Sequence, residues 1–149
     1  MNWAGHWHGY GPWTGTRDAY GQESLRRPGG RPDSEQTRSF VASTLPPMET
    51  GHWLMRTDQT AAERTWTDAL DAVTWLKTVH TTHQPFERED RLRAYPDLHT
   101  KVAYAHDALP RGTDVVWVHY TKAQSLVSLS VVCCPSHFHP GIPCPLPPH

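Results

Sequence analysis

Asp114-Val115-Val116-Trp117-Val118-His119-Tyr120-Thr121 and Gln124-Ser125-Leu126-Val127-Ser128-Leu129-Ser130-Val131-Val132-Cys133 stand two residues apart in the chain. Both runs are rich in β-branched and aromatic residues, which fit a pleated, half-buried surface, and the short break between them makes an antiparallel hairpin. With Lys122 and Ala123 as the loop, Val118 faces Val127 and Val116 faces Leu129, which gathers four aliphatics on one side of the sheet. Trp117 then stands opposite Ser128 and His119 opposite Leu126, a more polar side that is either solvated or lines a site.

Upstream of the hairpin the period changes from two to that of a helix. After Asp97, an N-cap residue, Leu98, Val102, Ala105 and Leu109 recur at steps of four, three and four, and Pro110 with Gly112 closes the element. A second stripe, Ala62, Trp66, Ala69, Leu70, Val73, Leu76 and His80, predicts a helix from Asp58 to about Thr82 with Leu70 buried. At ~100° per residue Trp75 points away from Trp66, so the N-terminal aromatic segment is expected to cover it, the alternative being an exposed Trp75 that marks a contact surface. A short helix is expected from Ser34 to Leu45, stopped by Pro46 and Pro47, and a short strand near His52 to Arg56. The first 35 residues hold 7 of the 10 glycines and show no period, which reads as loop. This loop carries Trp3, Trp7, Tyr10 and Trp13, enough ring area to dock as an aromatic lid.

Helices followed by strands favour an α+β fold: a small antiparallel sheet built on the C-terminal hairpin and packed by two main helices. Residues 1–149 are read as one domain, with a Gly- and Trp-rich loop (1–35), an α+β core (36–134) and a Pro-rich strap (135–149). Leu, Ile, Val and Phe make up only 25 of the 149 residues, and 7 Trp supply part of the missing bulk.

A formal net charge of −1 excludes a strongly basic nucleic-acid footprint. Arg17, Arg26, Arg27, Arg31 and Arg38 form a modest series, but Glu23, Asp33 and Glu35 interrupt it, so a solvated loop is expected there and no nucleic-acid partner. No run reaches the ~18 to 20 apolar residues of a membrane span. The start Met1-Asn2-Trp3-Ala4-Gly5-His6 lacks the basic and apolar regions of a secretory signal, so a cytoplasmic protein is expected. Cys133, Cys134 and Cys144 are an odd, crowded set, which favours reduced thiols over a disulfide framework.

Chemistry concentrates in the tail. Cys134-x-x-His137-x-His139-x-x-x-x-Cys144 brings soft sulfur and imidazole close in sequence, so Cys134, His137, His139 and Cys144 are candidate ligands for zinc, although the spacing matches no standard finger. The expected outcome is nevertheless packing: Cys133 is a buried thiol beside Val127, Leu129 and Val131, with no stoichiometric metal and with Cys134 or Cys144 the more reactive thiol. A nucleophilic Cys134 with His119, His137 or His139 as its base is a further reading, and the Cys-Pro dipeptides also offer thiolates to haem iron. At the other end, His6 and His8 fall on one side of an extended segment and can grip one metal ion, although a His-x-His pair flanked by Trp is more often a surface or packing pair. Gly9-Tyr10-Gly11-Pro12 lacks the Lys-Ser/Thr of a phosphate loop.

No complete catalytic motif is present. The first functional expectation is therefore a binding or accessory protein that uses Trp3, Trp7, Trp13, Trp75 and Trp117 to hold a protein partner or small apolar ligand. The alternative is a small enzyme built on the Cys/His tail, with or without a metal.

Overall fold

Four antiparallel strands form one sheet in the order β2-β1-β4-β3: β1 (His6–Gly15), β2 (Thr65–Trp66), β3 (Val115–Tyr120) and β4 (Leu126–Cys134). The computed structural model describes residues 3–86 and 95–148. Helices α1 (Arg17–Tyr20) and α2 (Glu35–Ala42) precede a stretch of 3-10 turns, and α3 (Ala69–Thr82) and α4 (Leu98–Ala108) precede the hairpin. The α+β class and the two main helices are those expected from the period of the sequence. Among the described residues no helix is long and apolar enough to cross a membrane.

The principal correction concerns the N-terminal segment, which is an interior strand. β1 lies between β2 and β4, pairing with β4 from His6↔Cys134 to Gly15↔Leu126. Its glycines hide the strand because they mark close approaches and a bulge. A Cβ on Gly9 would come within 2.8 Å of the Trp66 ring and 3.1 Å of the Trp75 ring. Gly11 has φ +97°, and the register shifts between Tyr10 and Trp13. Trp75 is thus covered by the N-terminal segment, as expected, although it also touches Trp66 with ring centroids 5.6 Å apart.

The hairpin is present with its register displaced by one residue. Trp117 pairs with Leu129 and His119 with Val127, while Val116 pairs with Ser130 and Val118 with Ser128. The loop is Lys122-Ala123-Gln124, closed by Thr121 N–H donating to Ser125 O, and Gln124 takes φ +64°. A left-handed residue at the end of a three-residue loop is a standard hairpin closure, and the added residue exchanges the two faces. Val115, Trp117 and His119 therefore face the core, and Val116 is 43% exposed.

The helices cover one face of the sheet. Ala72, Val73 and Leu76 of α3 and Ala105 and Ala108 of α4 pack on Trp7, Trp117, Val127, Leu129 and Cys133. α3 begins at Ala69, capped by Asp68, later than the Asp58 expected, because the preceding residues wind into 3-10 turns and Thr65–Trp66 is spent pairing with β1. Without Ala62 and Trp66 on the helix, its buried stripe is Ala72, Val73, Leu76 and His80, and Leu70 is 59% exposed. The exposed threonines of α3 satisfy their hydroxyls on the carbonyl four residues back, as Thr74 does on Leu70 O at 3.0 Å. α4 follows its expectation closely, with the Asp97 carboxylate accepting from Thr100 N–H at 2.8 Å.

The opposite face of the sheet is covered by 3-10 turns and the C-terminal strap. Residues near His52 to Arg56, expected as a strand, lie in or at the end of the 3-10 turn Thr50–Met55, because their backbone bonds are satisfied locally, His52 N–H on Glu49 O and Arg56 N–H on Trp53 O, both at 3.0 Å. Trp53 stacks on Tyr10 with ring centroids 4.8 Å apart. Arg56, fully buried, donates from Nε to Phe40 O at 3.0 Å, from Nη1 to Leu45 O at 2.6 Å and from Nη2 to Leu25 O at 3.4 Å. Its guanidinium also lies 4.2 Å from the Phe40 ring centroid. Burial lowers its pKa to about 10, which leaves it charged at neutral pH.

Two expectations follow from the helix layer. Leu76→Ala should cost roughly 2 to 5 kcal/mol and Leu70→Ala less than about 0.5 kcal/mol, both read by equilibrium denaturation. His80, 7% exposed, is pushed down to about 4 from 6.5 by burial, then by His119 and Lys101. The unfolded chain therefore takes up this proton first, so the contribution of neutral His80 is complete above pH 6.5 and is lost as pH falls towards 4. Over that window the wild type should lose stability more steeply than His80→Leu; parallel pH profiles would contradict the assignment.

Candidate metal centre

Strand alternation places His6 and His8 on the face of β1 away from the helices, and the register sets His6 directly opposite Cys134. Cys134 is the last residue of β4, and the strap returns to bring Cys144 alongside. One donor atom from each of the four residues lies within 4.8 Å of the others. His6 Nε2 and His8 Nε2 are 3.1 Å apart, and Cys144 Sγ is 3.4 Å from the first and 4.0 Å from the second. For bond lengths of about 2.05 Å to nitrogen and 2.3 Å to sulfur, a tetrahedron around zinc has edges of roughly 3.3 to 3.8 Å. The three separations among His6, His8 and Cys144 span those edges, and Cys134 Sγ lies within 4.8 Å of each of the three donor atoms.

The neighbouring layer fixes the His8 ring. Thr65 Oγ1 donates its single proton to Ala61 O at 2.8 Å, so it accepts from His8 Nδ1–H, also at 2.8 Å. His8 Nε2 is then the unprotonated nitrogen and presents its lone pair to the cluster. A hydrogen bond on the far nitrogen is the usual device for orienting a histidine ligand.

Burial acts on the two ligand types in opposite ways. It lowers the His8 pKa to about 4, with a smaller contribution from His6, and it lowers His6 as well, so both imidazoles are neutral at physiological pH. The Cys134 thiol is pushed up by burial and by Cys144, which favours its protonated form. Tyr10, whose hydroxyl bonds Thr60 Oγ1 at 2.7 Å, closes the inner side of the site with its phenol held neutral.

The residues singled out from the tail divide among several places. Cys134 and Cys144 come together, but their imidazole partners are His6 and His8, not His137 and His139. His137 is exposed against Phe138, with ring centroids 4.7 Å apart. His139 turns towards Glu49 and His52. His119 lies under the helices, where its Nε2–H donates to His83 O at 2.5 Å and its ring stands 5.3 Å from that of His80. Cys133 faces the helix layer, its thiol pushed up by burial and by Asp114, which accepts from Cys133 N–H at 2.7 Å. Cys134 is buried too, and Cys144 is the exposed thiol.

The five tryptophans are also dispersed. Trp7 is buried and donates from Nε1 to Leu109 O at 3.1 Å, with Trp3 packed on its ring. Trp117 is buried beneath Lys101, Trp75 packs on Trp66, and Trp13 lies against Tyr20. The four-donor cluster joins two signals, the His-x-His pair and the Cys pair, that are 126 residues apart at their nearest members, His8 and Cys134. Recognising the N-terminal segment as a strand is what links them. Comparison with protein-family models, with curated proteins and with solved structures finds no match to this chain.

Proposed function

We propose that the chain is a metal-binding protein in which His6, His8, Cys134 and Cys144 hold one zinc ion. The observation that carries this reading is the convergence of four donor atoms within 4.8 Å from three separate segments, β1, the end of β4 and the strap. Zinc suits two thiolates and two imidazoles, and four protein ligands make a closed, structural type of site. Binding releases the two thiol protons, and the resulting complex of Zn²⁺, two thiolates and two neutral imidazoles carries no net charge, which suits its half-buried position. The ion ties the first strand to the C-terminal strap and so stabilises the folded chain, by an amount that grows with the logarithm of its free concentration over Kd.

Docking of a protein partner is a second reading, favoured by Phe138, 81% exposed on the same strap. A bound ion at Cys144 would fix the path of the strap that presents it.

Cobalt(II) titration of the reduced, metal-free protein is the direct test. Thiolate-to-cobalt charge-transfer absorption should saturate at one equivalent, and His8→Ala or Cys144→Ser should weaken binding by at least about 100-fold, the upper range for loss of a merely supporting residue. Alkylation without metal should label Cys144 before Cys133 and Cys134, and zinc should protect it. No thiolate absorption, or unchanged affinity in Cys144→Ser, would refute the site.

A further inference from the structure

Beyond the four-donor cluster, one carboxylate and two imidazoles converge where the 3-10 layer meets the strap. Glu49 Oε1 lies 3.2 Å from His139 Nε2, and Glu49 Oε2 lies 4.0 Å from His52 Nδ1. The two imidazole rings are 4.2 Å apart between centroids, tilted by 32°, and the three donor atoms fall within 4.8 Å of one another. His139 Nε2 is shielded from solvent, yet it makes no hydrogen bond of acceptable alignment among the described residues. A carboxylate oxygen and an imidazole nitrogen that sit ~3 Å apart without pointing at each other have the arrangement of two ligands aimed at a common third position.

The backbone holds this triad in place. Glu49 and His52 are joined by one turn, in which His52 N–H donates to Glu49 O at 3.0 Å. His139 is fixed by its own N–H donating to the buried Ser136 Oγ at 3.2 Å. Gly51 lies beneath it, and a Cβ there would meet Ser136 Oγ at 2.5 Å and His139 Cδ2 at 3.0 Å. The site is therefore packed from below, while the Glu49 side chain, 57% exposed, leaves its outer side open to water.

We propose that Glu49, His52 and His139 form a second site, for a divalent metal of the zinc and iron(II) class, with coordination positions open to solvent. Two imidazoles and one carboxylate are the donor set of metal centres that retain exchangeable water, in contrast to the closed set at Cys134. The two sites interleave along the chain. Cys134, His139 and Cys144 follow one another at intervals of five residues and alternate between them, so an ion in either site restrains the strap that supplies the other. The second site stands on its own donors and does not require zinc at the first.

Cobalt(II) titration with paired variants separates the two. The full-length chain should bind two equivalents, one with thiolate charge-transfer absorption and one without. Glu49→Gln, a change at an exposed position, and His52→Ala should each weaken the component lacking thiolate absorption by at least about 100-fold and leave the other in place. Cys144→Ser should do the reverse. One equivalent without thiolate absorption, lost in Glu49→Gln, would support the second site and reject the first. Saturation at one equivalent with full thiolate absorption, or two equivalents persisting in both Glu49→Gln and His52→Ala, would overturn the second site and leave Glu49–His139 as an ordinary ion pair.

Discussion

The pairing of β1 with β4 is the constraint on which the rest of the molecule depends. β4 is buried along all nine of its residues, and its backbone groups are satisfied because β1 and β3 flank it. Among the described residues β2 pairs with β1 alone, so the two-residue edge strand depends on β1 being held in place by β4. Alternation along β1 then distributes its side chains: Trp7 completes the core under the helices, while His6, His8 and Tyr10 are delivered to the other layer. The register that satisfies the backbone also sets His6 against Cys134.

The two sides of the sheet use different physical chemistry. The helix side is an apolar core with one buried histidine pair, His80 and His119, at its margin. The other side is short of aliphatic residues and is built from rings, hydroxyls, imidazoles and Arg56. Desolvation in that layer lowers the pKa of the His6 and His8 imidazoles and raises that of the Cys134 thiol. Burial thus disfavours the charged form of both residue types.

The elements legible in the sequence are those whose signals are local. Asp97 capping α4, Gly112 ending its 3-10 extension and the Val-rich hairpin can each be read from a few consecutive residues. What misled was information held elsewhere in the fold. Gly9 and Gly11 look like loop residues until Trp66, Trp75 and the β-bulge explain why no side chain fits there. Gln124, a non-glycine residue at positive φ, gives no turn signal, yet it shifts the hairpin by one residue and sends Trp117 inward. For the candidate site, His6, His8, Cys134 and Cys144 were each visible as metal-type residues. Their grouping was hidden, since sequence proximity joined Cys134 to His137 and His139, and only strand register joins it to His6.

Arg56 has a consequence for how the loop-built layer fails. In a helix or a sheet the hydrogen bonds form a ladder, and altering one side chain leaves most rungs intact. Here carbonyls from three separate stretches, at Leu25, Phe40 and Leu45, are gathered by a single planar fork. A lysine, with one nitrogen in place of three, cannot reproduce that junction. Loss of the guanidinium would leave these three carbonyls without this partner at once, next to the turn that carries Glu49 and His52. A residue that contributes no donor atom to either cluster thus joins three of the stretches that build this layer.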